Sequence, residues 1–331
     1  MFNYIIRRLI VAFFMLIGVG LVSFIVIKLP PGDFATRYEG YLIAQGMPQG
    51  DAERLAQAVR VEYGLDKPAI VQFYVWIKDI FTKGEFGYSF AYRKDVGSLI
   101  AERAPKTIFL ALLCHLTSTI IGVGVGIFVA PRKYGFWDNL SAILSFLLTS
   151  IPRFSLAIIV LYILVWDFQW SPIVAFYSPQ FVFAPWSWAK VVDMFAHIWP
   201  VIAIAGLGGV ARNLRVMRGN LLDVLGAQFV TTARSKGLKE AAVMLKHAVP
   251  NALHPILAYQ GTALPYMMQG ELEVAIILGL PTMGPLFYES LQNQDIYISG
   301  SLLMMYGVLI VIGNLLADLS LAVLDPRIRY S

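Results

Sequence analysis

Apolar positions along this chain gather into long unbroken runs rather than short alternations. Leu9 to Ile27 is 19 residues with no ionisable side chain, and Thr107 to Ala130 holds only His115 among acidic and basic residues. Phe154 to Trp166 and Gly300 to Ala317 contain no Asp, Glu, Lys, Arg or His. A helix needs about 20 apolar residues to cross the hydrocarbon core of a bilayer. The runs therefore predict an all-α polytopic membrane protein with about six spans, near 9–28, 106–130, 140–166, 194–216, 255–279 and 300–323. The fourth has the shortest apolar centre, Ile198 to Ala211, interrupted by Pro200, Gly206, Gly208 and Gly209. Burial as core helices of a large soluble protein would not accommodate so many runs of this length.

Arg7 and Arg8 precede the first run, as they would a secretion signal. The run is long for a signal, and "SFIVIKLPPGD" lacks a clear small-x-small cleavage site, so it reads as a retained helix. The pattern divides the chain into a first helix at 1–28, an extracytoplasmic segment at 29–105, a five-helix core at 106–324 and a tail at 325–331. The outer segment predicts two helices. "DAERLAQAVRVEYG" is amphipathic through Leu55, Ala58, Val59 and Glu62. In "DKPAIVQFYVWIKDIFTKG", Pro68 suits a first turn, Gly84 lies past the end, and Ile70, Phe73, Tyr74, Ile77, Ile80 and Phe81 make one face. Such a face lies on the membrane surface or packs on a partner.

Composition supports the class, with 58% hydrophobic and 14% charged residues; soluble domains carry about 25% charged. The net charge of +5 is unevenly placed and is not a nucleic-acid signal. It gives orientation instead, because cytoplasmic loops of membrane proteins are enriched in Lys and Arg. The 131–138 loop carries Arg132 and Lys133. The 212–254 loop carries seven basic residues against Asp223 and Glu240, and the tail carries Arg327 and Arg329. The opposite loops, 167–193 and 280–299, hold one lysine and four carboxylates together. Both termini are thus expected in the cytoplasm. Trp166, Phe168, Trp170, Phe176, Tyr177, Trp186 and Trp188 crowd the outer loop after the third span, as an interfacial belt would.

No catalytic constellation, phosphate loop or metal-ligand set stands out, and the single cysteine, Cys114, excludes an internal disulfide. "GVGVG" at Gly122, Gly124 and Gly126 lies mid-span, where it favours close helix packing. His247 and His254 lack a third ligand. Charges inside a membrane are costly and mark function. Asp318 is near the inner end of the last span, and Arg153 can snorkel to the inner surface. Glu271 and Glu273 in "QGELEVAIILGLP" are candidates for the translocation pathway. Two residues apart on a helix they point about 200° apart, so one faces a water-filled cavity and the other a partner; an extended stretch beside Gly270 would let them share a face.

The segment "FVTTARSKGLKEAAVMLKHAVPNALHP" is basic and helix-forming, with Gly237 permitting a reversal and a second helix expected from Glu240 to Val249 before Pro250. It resembles the "EAA" loop of importer-type ABC permeases: E-A-A, three residues, G, nine residues, I-x-L-P. Ala233, Gly237 and Pro250 fit; Thr231, Thr232, His247 and Val249 replace Glu, Ala, Ile and Leu. It is more similar to permeases of oligopeptide, dipeptide and nickel importers, whose version reads like "TARAKGL…LRHALRNALIP". "IIRRLIVAF", "YGLDKPAIVQFYVWIKDIFTKGEFGYSF", "ERAPKTIFLAL", "LGLPTMGPLFYESLQNQD" and "LADLSLAVLDPRIRY" extend the resemblance over nearly the whole chain. The family often has Glu where Ala275 stands, so a pathway carboxylate does not transfer directly.

The resemblance implies a non-enzymatic permease subunit of an ATP-driven importer in a bacterial inner membrane. It implies a sister permease in a heterodimer, two cytoplasmic ATPase subunits holding ATP and Mg, and an extracytoplasmic solute-binding protein, with no cofactor in this chain. The coupling loop would be 219–254, with Phe229 to Gly237 the coupling helix and Thr231, Thr232, Ala233, Arg234 and Lys236 meeting the ATPase. Peptides head the substrates, with oligosaccharides, opines and nickel chelates as alternatives; the aromatic outer loop fits sugar stacking and interface anchoring equally. A secondary transporter would show internal repeats and buried coupling carboxylates, and a membrane enzyme a clustered acid, base or metal set; neither is visible.

Overall fold

The computed structural model describes residues 2–89, 91–170 and 175–324, without the side chains at 2–5, 7–9, 258, 261–270 and 316–324. The tail with Arg327 and Arg329, and the side chain of Asp318, lie outside the described residues. The chain is helical almost throughout: α1 Phe2–Lys28, α2 Phe34–Ala44, α3 Gln49–Glu62, α4 Ala69–Lys83, α5 Val96–Val129, α6 Phe136–Ser150, α7 Arg153–Tyr162, α8 Trp188–Leu225, α9 Gln228–Ser235, α10 Glu240–Ala242, α11 Val249–Ile277, α12 Met283–Gln292 and α13 Ile296–Leu324. A two-residue antiparallel pair, Tyr88–Ser89 with Lys94–Asp95, precedes α5. Among the described residues four helices are long and apolar enough to cross a membrane: Ile10–Lys28, Val96–Arg132, Trp188–Leu225 and Ile296–Leu315. The pair α6–α7 makes a fifth if its bent halves count as one span. The span expected at 255–279 lies on α11, eleven of whose side chains fall outside the described set.

The chain forms two compact units. The first is Met1–Pro105 with Pro285–Leu309. Its outer segment contains three helices where two were expected. The additional one, α2, starts at a capping box: Asp33 accepts from the Thr36 backbone N–H at 2.8 Å, and Thr36 Oγ1 accepts from the Asp33 N–H. Arg60 on α3 pairs with the same carboxylate at 2.9 Å. Burial tends to raise the Asp33 pKa, but the Arg60 and Thr36 hydrogen bonds outweigh it and hold it at about 2. On α4 the packed face is turned from the expected one. Gln72 and Trp76 are buried, with Phe73, Ile77 and Ile80 against the same core, while Ile70, Tyr74 and Phe81 stay exposed. Trp76 donates to the Phe86 carbonyl at 2.9 Å and sits on Gly300, where a Cβ would lie 2.8 Å from the indole. Asp295 caps α13 and accepts from Ser89 Oγ at 2.7 Å.

The second unit is Lys106–Gly284 with Ile310–Ser331. Its centre is α8 against α5, α7 and α11, with Leu110, Cys114, Ile198, Val201, Ala205, Val274 and Leu278 buried together. Gly122 and Gly126 let α5 approach α8. A Cβ at Gly122 would stand 2.7 Å from the Val210 carbonyl oxygen, and one at Gly126 2.7 Å from Met217 Cβ, whereas Gly124 faces open space. The packing expected of "GVGVG" is thus carried by two of its three glycines, four residues apart on one helix face.

Three local expectations are corrected here. The second span's helix begins at Val96, not near 106, because Asp95 caps it by accepting from the Ser98 N–H at 2.9 Å. The third span is not one helix: α6 and α7 bend by 95° at Ile151–Pro152. Proline disfavours the α conformation in the residue before it, and Ile151 is extended at φ −85°, ψ 124°. Finally, much of the 212–254 loop is helix. α8 runs on to Leu225, and Pro250 stops nothing: a π-helical turn, Val243–Ala248, leads directly into α11, where Pro250 occupies the first turn. Proline has no N–H to donate to the preceding turn, and a local π-helical widening is one way a continuous helix absorbs that loss.

Candidate functional site

The basic segment folds as an elbow between α8 and α11. α9 is eight residues and has two faces. Val230 and Ala233 are 0% and 6% exposed and pack with Met217 and Leu221 of α8, Val243 and Ala248, and Val249, Ala252 and Ile256 of α11. Phe229, Thr231, Thr232, Arg234, Lys236 and Gly237 are exposed. Four of the five residues expected to meet an ATPase, Thr231, Thr232, Arg234 and Lys236, therefore stand on the open side, as do Phe229 and Gly237 at the ends of the expected coupling helix. Ala233 is the correction: three residues after Val230, it falls on the inward stripe and belongs to the elbow's own core.

Gly237 ends α9. At φ +75° it occupies the left-handed region that side chains disfavour, and its N–H reaches the Arg234 carbonyl at 2.9 Å. An ion pair bridges the turn: Arg234 Nη2 donates to Glu240 Oε1 at 2.6 Å and Nε to Oε2 at 3.1 Å. The Arg234 hydrogen bond lowers the Glu240 pKa from its ordinary value. α9 is thus packed on the ends of two long helices, α8 and α11.

A second pair ties down the neighbouring elements. Asp138, 2% exposed at the start of α6, receives the Arg218 guanidinium of α8 at both oxygens, with Arg218 Nη2 to Oδ2 at 2.7 Å, and the Tyr134 N–H at 2.8 Å. The sequence reading missed this clamp. Its one signal was a lone aspartate in an apolar stretch beside a basic loop.

The two candidate pathway carboxylates separate. α11 is continuous through both, so they point apart as helix geometry requires. Glu271 is fully buried, with Thr282 as an interacting side chain. The turn that holds Thr282 is fixed by Met283 N–H donating to Thr107 Oγ1 at 2.9 Å, and by Gly284 lying against Leu272. Glu273 is exposed and borders a groove of about 410 Å³ at the α6–α7 bend. In the aromatic loop, Trp166, Phe168, Trp186 and Trp188 are exposed as a belt requires, but Phe176 is core. Tyr177 and Trp186 flank the Lys190 ammonium at 4.8 and 5.4 Å from their ring centres. Ser171 to Val174 lie outside the described residues.

Long apolar helices, glycine-mediated helix packing and a two-faced elbow define a polytopic α-helical membrane protein with an exposed, basic elbow between two of its long helices. Residues 122–330 match the family described as binding-protein-dependent transport system inner membrane component, and residues 1–111 match its N-terminal membrane component. Similar relatives cover the chain end to end. The oligopeptide transport system permease protein AppB of Bacillus subtilis is 32% identical over 99% of both chains. A probable peptide ABC transporter permease, y4tP, of Sinorhizobium fredii is 32% identical over 99% of both. The oligopeptide permease OppB of Haemophilus influenzae is 30% identical over 100% of both. The chain belongs to this family: it is an inner-membrane permease subunit of a binding-protein-dependent ABC importer, working with a solute-binding protein and an ATPase.

Proposed function

We propose that this subunit forms half of a translocation pathway for short peptides and is driven through the α9 elbow. In this reading both termini and the elbow are cytoplasmic, and the segment between α1 and α5 faces the binding protein. A sister permease completes the pathway, and two ATPase subunits hold ATP and Mg outside this chain. The peptide assignment is supported by the relatives' names, and the coupling assignment by one observation: α9 buries Val230 and Ala233 against α8 and α11 while turning Thr231, Thr232, Arg234 and Lys236 outward. ATP binding can shift the permease only by favouring one of its states over the other, so the elbow must be gripped differently in the two.

The test uses the open face alone. Thr232→Trp and Lys236→Glu leave the inward stripe untouched, so the chain still inserts and folds. Uptake of a labelled peptide by the assembled importer is expected to fall tenfold or more, while ATP turnover no longer responds to loaded binding protein. Full uptake in both variants would remove α9 from the coupling path.

A further inference from the structure

The groove at the α6–α7 bend has a composition that lipid does not explain. It is lined by Leu148, Thr149, Ile151, Pro152, Arg153, Phe154, Gly208 and Glu273, at a volume of about 410 Å³, within the range of small-molecule sites of about 300–1,000 Å³. Two opposite charges share it. The Arg153 guanidinium lies over α8 at Gly208, where a Cβ would come within 3.2 Å of Nη2; the missing side chain leaves room for it. Glu273 is on α11. Neither makes a hydrogen bond or an ion pair within the described residues. Elsewhere this chain does pair its charges, as at Asp138–Arg218. Leaving two complementary charges apart within membrane-spanning segments carries a cost that function must justify.

The backbone adds a third element. Arg153 is the first residue of α7, a ten-residue helix whose N-terminal end has no side-chain cap. The first N–H groups of a helix have no intrahelical partner, and its dipole favours negative charge there. Broken helices within a membrane present such ends to anionic groups of a transported solute. One wall of the groove thus offers a guanidinium and open backbone donors, and another offers a carboxylate.

We propose that this groove reads the charged ends of a zwitterionic solute as it passes. Arg153 and the start of α7 take its carboxylate, and Glu273 takes its ammonium. The inference rests on the peptide reading above and deepens it. It assigns part of the importer's selectivity to the permease, through the two termini that every unmodified short peptide carries whatever its side chains.

The test uses the complete importer in proteoliposomes, with tri-alanine, tri-alanine amide and N-acetyl-tri-alanine as probes. Each is supplied at concentrations that saturate the binding protein, so the maximal rate reports the membrane step. The unaltered importer is expected to move tri-alanine at least tenfold faster than either capped form. Arg153→Gln should erase the advantage over the amide and keep that over the acetylated form. Glu273→Gln should do the reverse, and Arg153→Lys should retain most of both. Equal slowing of all three probes in the Gln variants would show a structural role and overturn the proposal. So would an unaltered importer indifferent to capping. Failure of the unaltered, fully assembled importer to move tri-alanine would instead contradict the peptide reading, and this inference with it.

Discussion

Two arginine–carboxylate pairs in this protein use the same chemistry for different ends. Arg218 and Asp138 are 80 residues apart and join α8 to α6 with the carboxylate sealed from solvent. Arg234 and Glu240 are six residues apart and close a turn at the exposed elbow. An ion pair in water contributes little because solvent and salt screen it. A buried carboxylate that loses its partner remains as an uncompensated charge. The first pair is therefore a structural clamp, and the second a local brace on an exposed surface.

Breaking the clamp should have the largest effect. Arg218→Ala is expected to cost on the order of 3 kcal/mol, seen as lower yield and a lower melting temperature in detergent. Asp138→Asn in the same background should recover part of the loss, because the stranded charge is removed. Next comes the floor of the elbow. Ala233→Glu buries a carboxylate among Met217, Val243 and Ala248 and should detach α9, abolishing uptake while α8 and α11 remain inserted. Limited proteolysis between residues 226 and 240 would report the detachment. Gly237→Ala is milder, costing about 1 kcal/mol because a Cβ is disfavoured at φ +75°; uptake should fall a few-fold with insertion unchanged.

Glu240→Gln should have the smallest effect and sharpens the comparison most. The folded pKa of Glu240 is depressed by Arg234. The pair's contribution is therefore complete above the ordinary carboxylate value of about 4.3 and is lost as pH falls through the depressed one. At neutral pH the variant should transport within about twofold of the parent. The coupling difference between parent and variant should vanish in acid. A Gln variant as damaged as Arg218→Ala would show that the exposed pair is a clamp too.

Much of the architecture was legible because membrane burial is read over about 20 residues at a time. Charge-free runs located the long helices, and "GVGVG" marked a close approach that Gly122 and Gly126 make. The elbow was legible as a helix stopped by a glycine, since Gly237 has the left-handed backbone that such a stop requires. Which of its side chains faced outward was not. Ala233 reads as a small exposed residue until α8 and α11 are placed beneath it. α2 was missed because its signal, an Asp33-x-x-Thr36 cap, is short and its helix is only weakly apolar. The bend at Pro152 was missed because hydropathy is blind to direction: two half-spans at 95° have the same composition as one straight span.

The sequence alone determined the solvent in which this protein folds, the places where its long helices run, and the family to which it belongs, since these depend on residue type summed over long windows. Tertiary structure alone decided which charges pair. Asp138 found Arg218 across 80 residues, whereas Arg153 and Glu273 reached one groove and stayed apart. Electrostatic partnership depends on distance and burial in three dimensions, and neither quantity is written in the order of residues along the chain.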